Sequence, residues 1–299
     1  MRSNRLGRSG LQVSEVGLGC MSLARAGAAA ERIVGRALDL GVNFFDTADL
    51  YDHGANEELL ARALGARRRA VVIATKVGNR WRADGSGWDW DPSPAYVRGA
   101  VEASLKRLAS DYIDLYQLHG GTIEDPIDEL ITTFDALVQE GKIRAWGISS
   151  IRPNVIRRYA AGSSIASVMM QYSLLDRRPE EEALELLRGR GIAVIARGPV
   201  ARGLLAGRPA RAVPDHDEKR VARLQAILRQ ASAAAGRAPA QTALRFALSA
   251  PAVATVIPGA STLAQLEQNV ATVATPPLDA AELGALRAAA PAGRYHLHR

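Results

Sequence analysis

A closed α/β barrel of eight parallel strands is the fold this sequence predicts, and two observations predict it. Short apolar runs at 16–20, 42–46, 70–76, 113–119, 143–148, 167–171, 192–197 and 252–257 alternate with helical patterns at 28–40, 56–65, 94–108, 127–140, 153–161, 179–189, 239–249 and 262–274. Eight strand–helix units with buried, near-continuous apolar strands suit a closed barrel better than an open doubly wound sheet. In addition, no linker-like stretch interrupts the 299 residues, a length that fits one such barrel, so residues 1–299 are expected to form a single domain.

The elements follow in order. Leu6 to Val16 alternates and turns like a β-hairpin around Gly7 and Gly10, placed to plug the barrel bottom. Val16 to Cys20 is the first buried strand. Its Gly17-Leu18-Gly19 begins like a dinucleotide fingerprint, but the third glycine position is Ser22, which argues against a Rossmann domain. Gly41 and Gly141 stop helices, whereas Pro94, Pro126 and Pro153 open them. Three segments break the alternation: Val77 to Ser93, with Trp81, Trp88 and Trp90; Gly198 to Asp215, followed by an extra helix to about Ala235; and the tail from Pro276. Long loops in compact domains tend to be functional, and the first two belong to the catalytic rim of a barrel. The three tryptophans are candidates for a substrate wall, or for a packed cluster that pins the loop.

Composition removes several function classes. No apolar run is long enough for a membrane helix, and the N-terminus lacks a secretion signal, so a soluble cytoplasmic protein is expected. The single cysteine, Cys20, excludes an intramolecular disulfide and cysteine-rich metal sites, and no His-Glu-x-x-His motif occurs; no metal is expected. The +7 charge comes from arginines interleaved with acids. Only Arg67-Arg68-Arg69 forms a run, and it reads as a solvated turn rather than a nucleic-acid surface.

The chemistry collects at strand ends. Asp46 closes one strand with Tyr51 five residues on, Lys76 closes the next, and His119 closes the one after. Only four of the 38 basic residues are lysines, so a lysine at the end of an apolar strand is not casual use of a surface cation. A phenol with a pKa of roughly 10 is a poor acid near neutrality, and a nearby ammonium is the simplest means of lowering it. Tyr51 therefore reads as the acid, Lys76 held by Asp46 as its tuner, and His119 as a hydrogen-bond donor that orients a carbonyl. His53, two residues past Tyr51, is a weaker pocket candidate.

The runs Phe45-Asp46-Thr47-Ala48-Asp49-Leu50-Tyr51, Ala74-Thr75-Lys76-Val77-Gly78 and Asp111 to His119, with Leu18-Gly19-Cys20-Met21 and Ile257-Pro258-Gly259-Ala260, resemble the aldo-keto reductases. The resemblance implies a (β/α)₈ barrel, a nicotinamide cofactor and carbonyl reduction through an Asp-Tyr-Lys-His tetrad, matched here by Asp46, Tyr51, Lys76 and His119. It also implies cofactor contacts at Gly19, Met21, Asp46, Ser149, Gly198, Pro199, Val200, Arg202, Gly203, Gly259, Ser261, Gln265 and Asn269; the tryptophan-rich rim loop adds an expected substrate pocket of Trp81, Trp88 and Trp90 with His119.

Several cofactor positions depart from the family pattern. Ser150 replaces an asparagine and Met169 a glutamine, for which Gln171 is the substitute by strand period; Arg197 stands where an aromatic residue often stacks on nicotinamide. The basic residue many relatives carry near Ser261 or Gln265 is missing. NADPH is the first choice of cofactor, with NADH an alternative. A small-molecule carbonyl is the expected partner, without nucleic acid or membrane, in a monomer or small homo-oligomer. Two other readings stay open: a cofactor-binding barrel that regulates a partner, as in the potassium-channel β subunits that resemble this family, and a Schiff-base aldolase using Lys76.

Overall fold

The computed structural model describes all residues, Met1–Arg299. An antiparallel hairpin, β1 (Ser3–Arg5) and β2 (Gln12–Ser14), precedes the barrel. Strands β3 (Leu18–Gly19), β4 (Phe44–Asp46) and β5 (Val72–Val77) come next. A second hairpin follows, β6 (Asn79–Trp81) with β7 (Trp88–Trp90). The wall continues through β8 (Ile113–Leu118), β9 (Ile143–Ser149), β10 (Ser167–Gln171), β11 (Ala193–Arg197) and β12 (Val253–Ile257).

The large sheet runs β12-β11-β10-β9-β8-β5-β4-β3 with every pair parallel. Parallel bridges Val16–Val256 and Gly19–Gly259 bring its two edges together and close the barrel. The helices are α1 (Ala30–Asp39), α2 (Ala55–Leu64), α3 (Pro94–Arg107), α4 (Ile127–Gln139), α5 (Pro153–Gly162), α6 (Ala183–Gly189), α7 (Glu218–Ala234), α8 (Pro239–Leu248), α9 (Leu263–Val270) and α10 (Ala280–Ala289).

The two-residue period of the strands sorts side chains into two cores. Phe44, Val72, Ala74, Leu115, Met169 and Ile195 fill the barrel interior, joined by Leu6 and Val13 from the N-terminal segment. The hairpin is thus a plug: Leu6 and Val13 are fully buried, and truncating either to alanine removes packing that typically stabilises by about 2–5 kcal/mol for a leucine-sized side chain. Phe45, Ile73, Tyr116 and Val168 face the other way, into the layer between strands and helices.

Two expectations need correction, and the tail gains an element. The segment Val77 to Ser93 is not an irregular loop but carries the β6–β7 hairpin. The tail contains α10, whose start is a capping box in which Asp279 accepts from the Glu282 N–H and Glu282 accepts from the Asp279 N–H. Arg68 is not a solvated side chain: it donates at 2.8 Å to Asp114, which is fully buried at the barrel bottom and also receives Arg144 at 3.1 Å. The arginine-rich composition has an interior use too. Buried Arg245 donates to the Thr272 and Thr275 carbonyls, and buried Arg177 to those of Arg287 and Ala290, which ties the C-terminal segment to the barrel.

Candidate active site

Asp46 ends β4 and Lys76 is the fifth residue of β5, adjacent strands that deliver their side chains to one rim. Lys76 is 1 % exposed, which makes its ammonium one of the costliest groups in the fold unless compensated. It is compensated: Nζ donates to Asp46 Oδ2 at 2.8 Å, to the Thr47 carbonyl at 2.6 Å and to the Tyr51 hydroxyl at 3.3 Å. Burial alone would pull the ammonium down, but Asp46 and Tyr51 outweigh it and hold its pKa above the ordinary value. The lysine stays charged beside the phenol. His119 follows β8, and its ring lies edge-on to that of Tyr51 with centroids 6.0 Å apart. Three consecutive barrel strands and the turn after β4 thus bring Asp46, Tyr51, Lys76 and His119 together.

The electrostatics correct one expectation. Burial pushes the Tyr51 phenol above its usual pKa, and Lys76 only partly offsets that. The ammonium's effect is to make a phenolate less costly than burial would otherwise leave it, not to bring the resting phenol near neutrality. His119 moves further: burial, with Lys76 and Arg197 adding repulsion, lowers it to about 3. At physiological pH its imidazole is neutral.

Around Tyr51 the backbone is strained. Asp52 and His53 both have positive φ, 51° and 54°, followed by Gly54 at 88°. Left-handed residues without glycine cost roughly 1–2 kcal/mol each, so the turn is held by its surroundings. The His53 ring stacks on Trp81 at 3.7 Å between centroids, and Trp81 Nε1 donates to the Leu50 carbonyl at 3.1 Å. The three tryptophans therefore divide. Trp81 clamps the Tyr51 turn from above. Trp90 lies over Gly78 and Gly120 and donates to Asp125, and a Cβ at Gly78, where φ is 123°, would meet the Trp90 ring at 2.5 Å. Trp88 alone is half exposed to solvent.

The remaining candidates fall along the adjoining rim. Gly19 and Gly259 pair where the barrel closes, and a side chain at Gly259 would collide with Ser22 Oγ. Met21 is exposed beside them. Ser149 ends β9, while Met169 is packed in the barrel interior. Gln171 pairs in register with Arg197 and accepts from its Nη1 at 3.3 Å. That neutral amide is the guanidinium's hydrogen-bond partner in the structure; burial lowers the Arg197 pKa, and no carboxylate pairs with it. A partly buried cation without a counter-ion suits a site that receives an electron-rich or anionic partner.

The segment Gly198, Pro199, Val200, Ala201, Arg202, Gly203 follows directly, with positive φ at Gly198, Ala201, Arg202 and Gly203 and an exposed Arg202. At α9 the Gln265 Oε1 accepts from both the N–H and the hydroxyl of Ser261, and Asn269 reaches the Gly259 carbonyl at 3.5 Å. A helix N-terminus beside a close-approach glycine suits a phosphate-bearing ligand.

Residues 15–291 match the aldo/keto reductase family. The chain belongs to the aldo-keto reductases. It is 48 % identical to an uncharacterized oxidoreductase of Bacillus subtilis, YqkF, over the full length of both, and 34 % identical to a probable aldo-keto reductase of Glycine max over 90 % of this chain and 84 % of that one. The holo form of the aldo-keto reductase AKR11C1 from Bacillus halodurans superposes with a TM-score of 0.93 at 48 % identity, covering 100 % of this chain and 99 % of its own; the apo form gives 0.86. The glycerol dehydrogenase AKR11B4 of Gluconobacter oxydans, 26 % identical, gives 0.85 over 96 % of this chain and 95 % of its own. Among these aldo-keto reductases the chain is an oxidoreductase of the carbonyl-reducing kind.

Sequence reasoning missed the buried polar residues that lie beside the tetrad. Asn56, Thr47 and Gln117 carry no periodic signal, because a buried polar side chain is recognised by its partners rather than by its spacing. Gln117, fully buried and in register with Lys76 on the neighbouring strand, is an example: strand pairing, not spacing, sets it beside the Asp46 carboxylate.

Proposed function

We propose that this aldo-keto reductase reduces a small aldehyde, ketone or sugar carbonyl with a reduced nicotinamide cofactor, NADPH first and NADH second, and that Tyr51 donates the proton. The observation that carries the reading is a buried ammonium, Lys76, within 3.3 Å of a phenol at the mouth of a barrel. When bound, the cofactor would supply hydride to the carbonyl carbon. Ser149, Gln171, Arg197, the 198–203 segment, Gly259, Ser261, Gln265 and Asn269 would hold it; the uncompensated Arg197 and the N-terminus of α9 fit such a group.

The side chains supply the rest. The carbonyl oxygen gains negative charge as its carbon is reduced, and Tyr51 gives it the hydroxyl proton. The phenolate left behind sits beside Lys76, whose charge Asp46 keeps in place. His119, neutral because its pKa is about 3, is a hydrogen-bond donor to the same oxygen rather than a competing acid. Lys76 as a Schiff-base nucleophile fits less well: a lysine held charged by three acceptors is a poor amine. We take residues 1–299 as one catalytic unit, cytoplasmic, monomeric or a small homo-oligomer. No helix is long and apolar enough to cross a membrane.

The test is direct binding of NADPH and NADH by fluorescence titration, followed by cofactor oxidation against a panel of carbonyls. Turnover of at least one carbonyl that depends on Tyr51 is expected. Tight cofactor binding with no turnover of any carbonyl would instead favour a regulatory barrel.

A further inference from the structure

We infer that Asn56 is a positioning residue for the proton donor, setting where the Tyr51 hydroxyl stands against Lys76; the inference rests on Tyr51 being the acid. Asn56 stands in the first turn of α2 but does not cap it, since the N-cap is Gly54 and no side-chain cap bond forms there. Its carboxamide is 1 % exposed and is committed elsewhere. Oδ1 accepts from Thr47 Oγ1 at 2.9 Å, and Nδ2 donates to the Cys20 carbonyl at 3.1 Å and to Asp52 Oδ2 at 3.2 Å.

Each partner leads to the tetrad. Thr47 follows Asp46, and its carbonyl accepts from Lys76 Nζ at 2.6 Å. Asp52 follows Tyr51 and is the first of the left-handed residues, so its carboxylate is the handle by which that turn can be fixed. Cys20 directly follows β3, and its carbonyl anchors the amide to the wall. One buried amide thus ties the acceptor that orients the ammonium to the turn that presents the phenol. A network of this kind is worth more than its separate bonds because each fixes the geometry of the next. Misplacing a reacting group by about 1 Å can cost roughly a hundredfold in rate.

The experiment compares Asn56→Ala, Thr47→Val, Thr47→Ser and Asp52→Ala with wild type and Tyr51→Phe. It measures kcat, KM for a carbonyl, NADPH affinity by fluorescence, and the pH profile of kcat. Asn56→Ala is expected to lower kcat about tenfold or more and to shift the basic limb of the profile, with KM and NADPH affinity within about threefold of wild type. Thr47→Val should lose activity in the same way and Thr47→Ser should recover it, because serine keeps the hydroxyl. If Asn56→Ala does not fold, Asp52→Ala, at an exposed position, cuts one of the same ties and should give a smaller fall in kcat with the same shift. Unchanged kcat and pH profile in Asp52→Ala and Thr47→Val, or an Asn56→Ala loss shared by KM and cofactor affinity with an unmoved profile, would overturn the positioning role. Full activity in Tyr51→Phe would instead strike at the reductive reading on which it rests.

Discussion

Lys76 and Tyr51 form an asymmetric pair: the ammonium is held by Asp46 at 2.8 Å and by the Thr47 carbonyl at 2.6 Å, and the phenol is its longest contact at 3.3 Å. The cation is therefore anchored independently of the phenol, and it stays in place when the proton leaves. Replacing Lys76 with methionine keeps length and removes charge. The phenolate then loses its compensation against burial, and kcat should fall by at least about a hundredfold with cofactor affinity retained. A Lys76→Met enzyme with wild-type kcat and pH profile would show that the charge does not matter to the phenol.

Arg197 makes a second prediction about the same rim. Its guanidinium bonds only the neutral Gln171. If it faces the nicotinamide ring, its charge tolerates the neutral reduced ring and repels the cationic oxidised one. Unit charges about 4 Å apart interact by roughly 4 kcal/mol at an effective dielectric of 20, before screening. A surviving 1.4 kcal/mol is about a tenfold preference for NADPH over NADP⁺. Calorimetric titration should find that preference in wild type and a smaller one in Arg197→Tyr; a gap that the substitution leaves unchanged counts against the contact.

Cofactor choice follows from α9. Ser261 and Gln265 are uncharged and already bonded to one another, so a 2′-phosphate would meet neutral donors rather than charge-assisted ones. The preference for NADPH over NADH is expected to be modest and to weaken as salt is raised. A preference above about a thousandfold, roughly 4 kcal/mol, would place a cation at that phosphate.

Stability should depend on pH through two buried groups of opposite sign. His119 is lowered to about 3, so below about pH 6.5 the unfolded chain binds a proton that the native state does not, and stability is lost as pH falls. Asp49 is raised to about 7 by burial and by Glu57, so the native state keeps a proton that the unfolded chain has released, and stability is lost as pH rises from about 4 to 7. Asp49→Asn removes the second effect alone. Thermal unfolding should show it close to wild type at pH 4 and more stable at pH 8, by up to about 4 kcal/mol; an equal difference at both pH values would mean that Asp49 is not held neutral.

The strand ends were legible in the sequence because packing alone rarely places a charged or aromatic residue at the close of an apolar run. Asp46, Lys76 and His119 stand at or just beyond the ends of β4, β5 and β8, and the barrel followed from the alternation itself. What was not legible depends on partners distant in sequence. Trp81 reads either as a substrate wall or as part of a cluster that pins the loop, and its stacking on His53 is a contact made by a hairpin whose pairing no local pattern announces. The α10 helix could have been found, since Asp279 and Glu282 have capping-box spacing ahead of a run of good helix formers. Asn56 could not, because nothing in its neighbourhood distinguishes a buried hub from a polar residue in the first turn of a surface helix. The net direction of the Tyr51 shift is not legible for a related reason: the sequence supplies the cation but not the burial that opposes it.

The central claim is that Tyr51 gives the proton, and Tyr51→Phe isolates that step. Phenylalanine keeps the ring beside His119 and Lys76 and removes only the hydroxyl. The decisive measurement is the single-turnover rate of carbonyl reduction by Tyr51→Phe at saturating NADPH, with cofactor affinity measured on the same sample. The account predicts affinity within about threefold of wild type and a rate lower by roughly 10²- to 10⁴-fold. A Tyr51→Phe enzyme that binds NADPH normally and reduces carbonyls at the wild-type rate would contradict it.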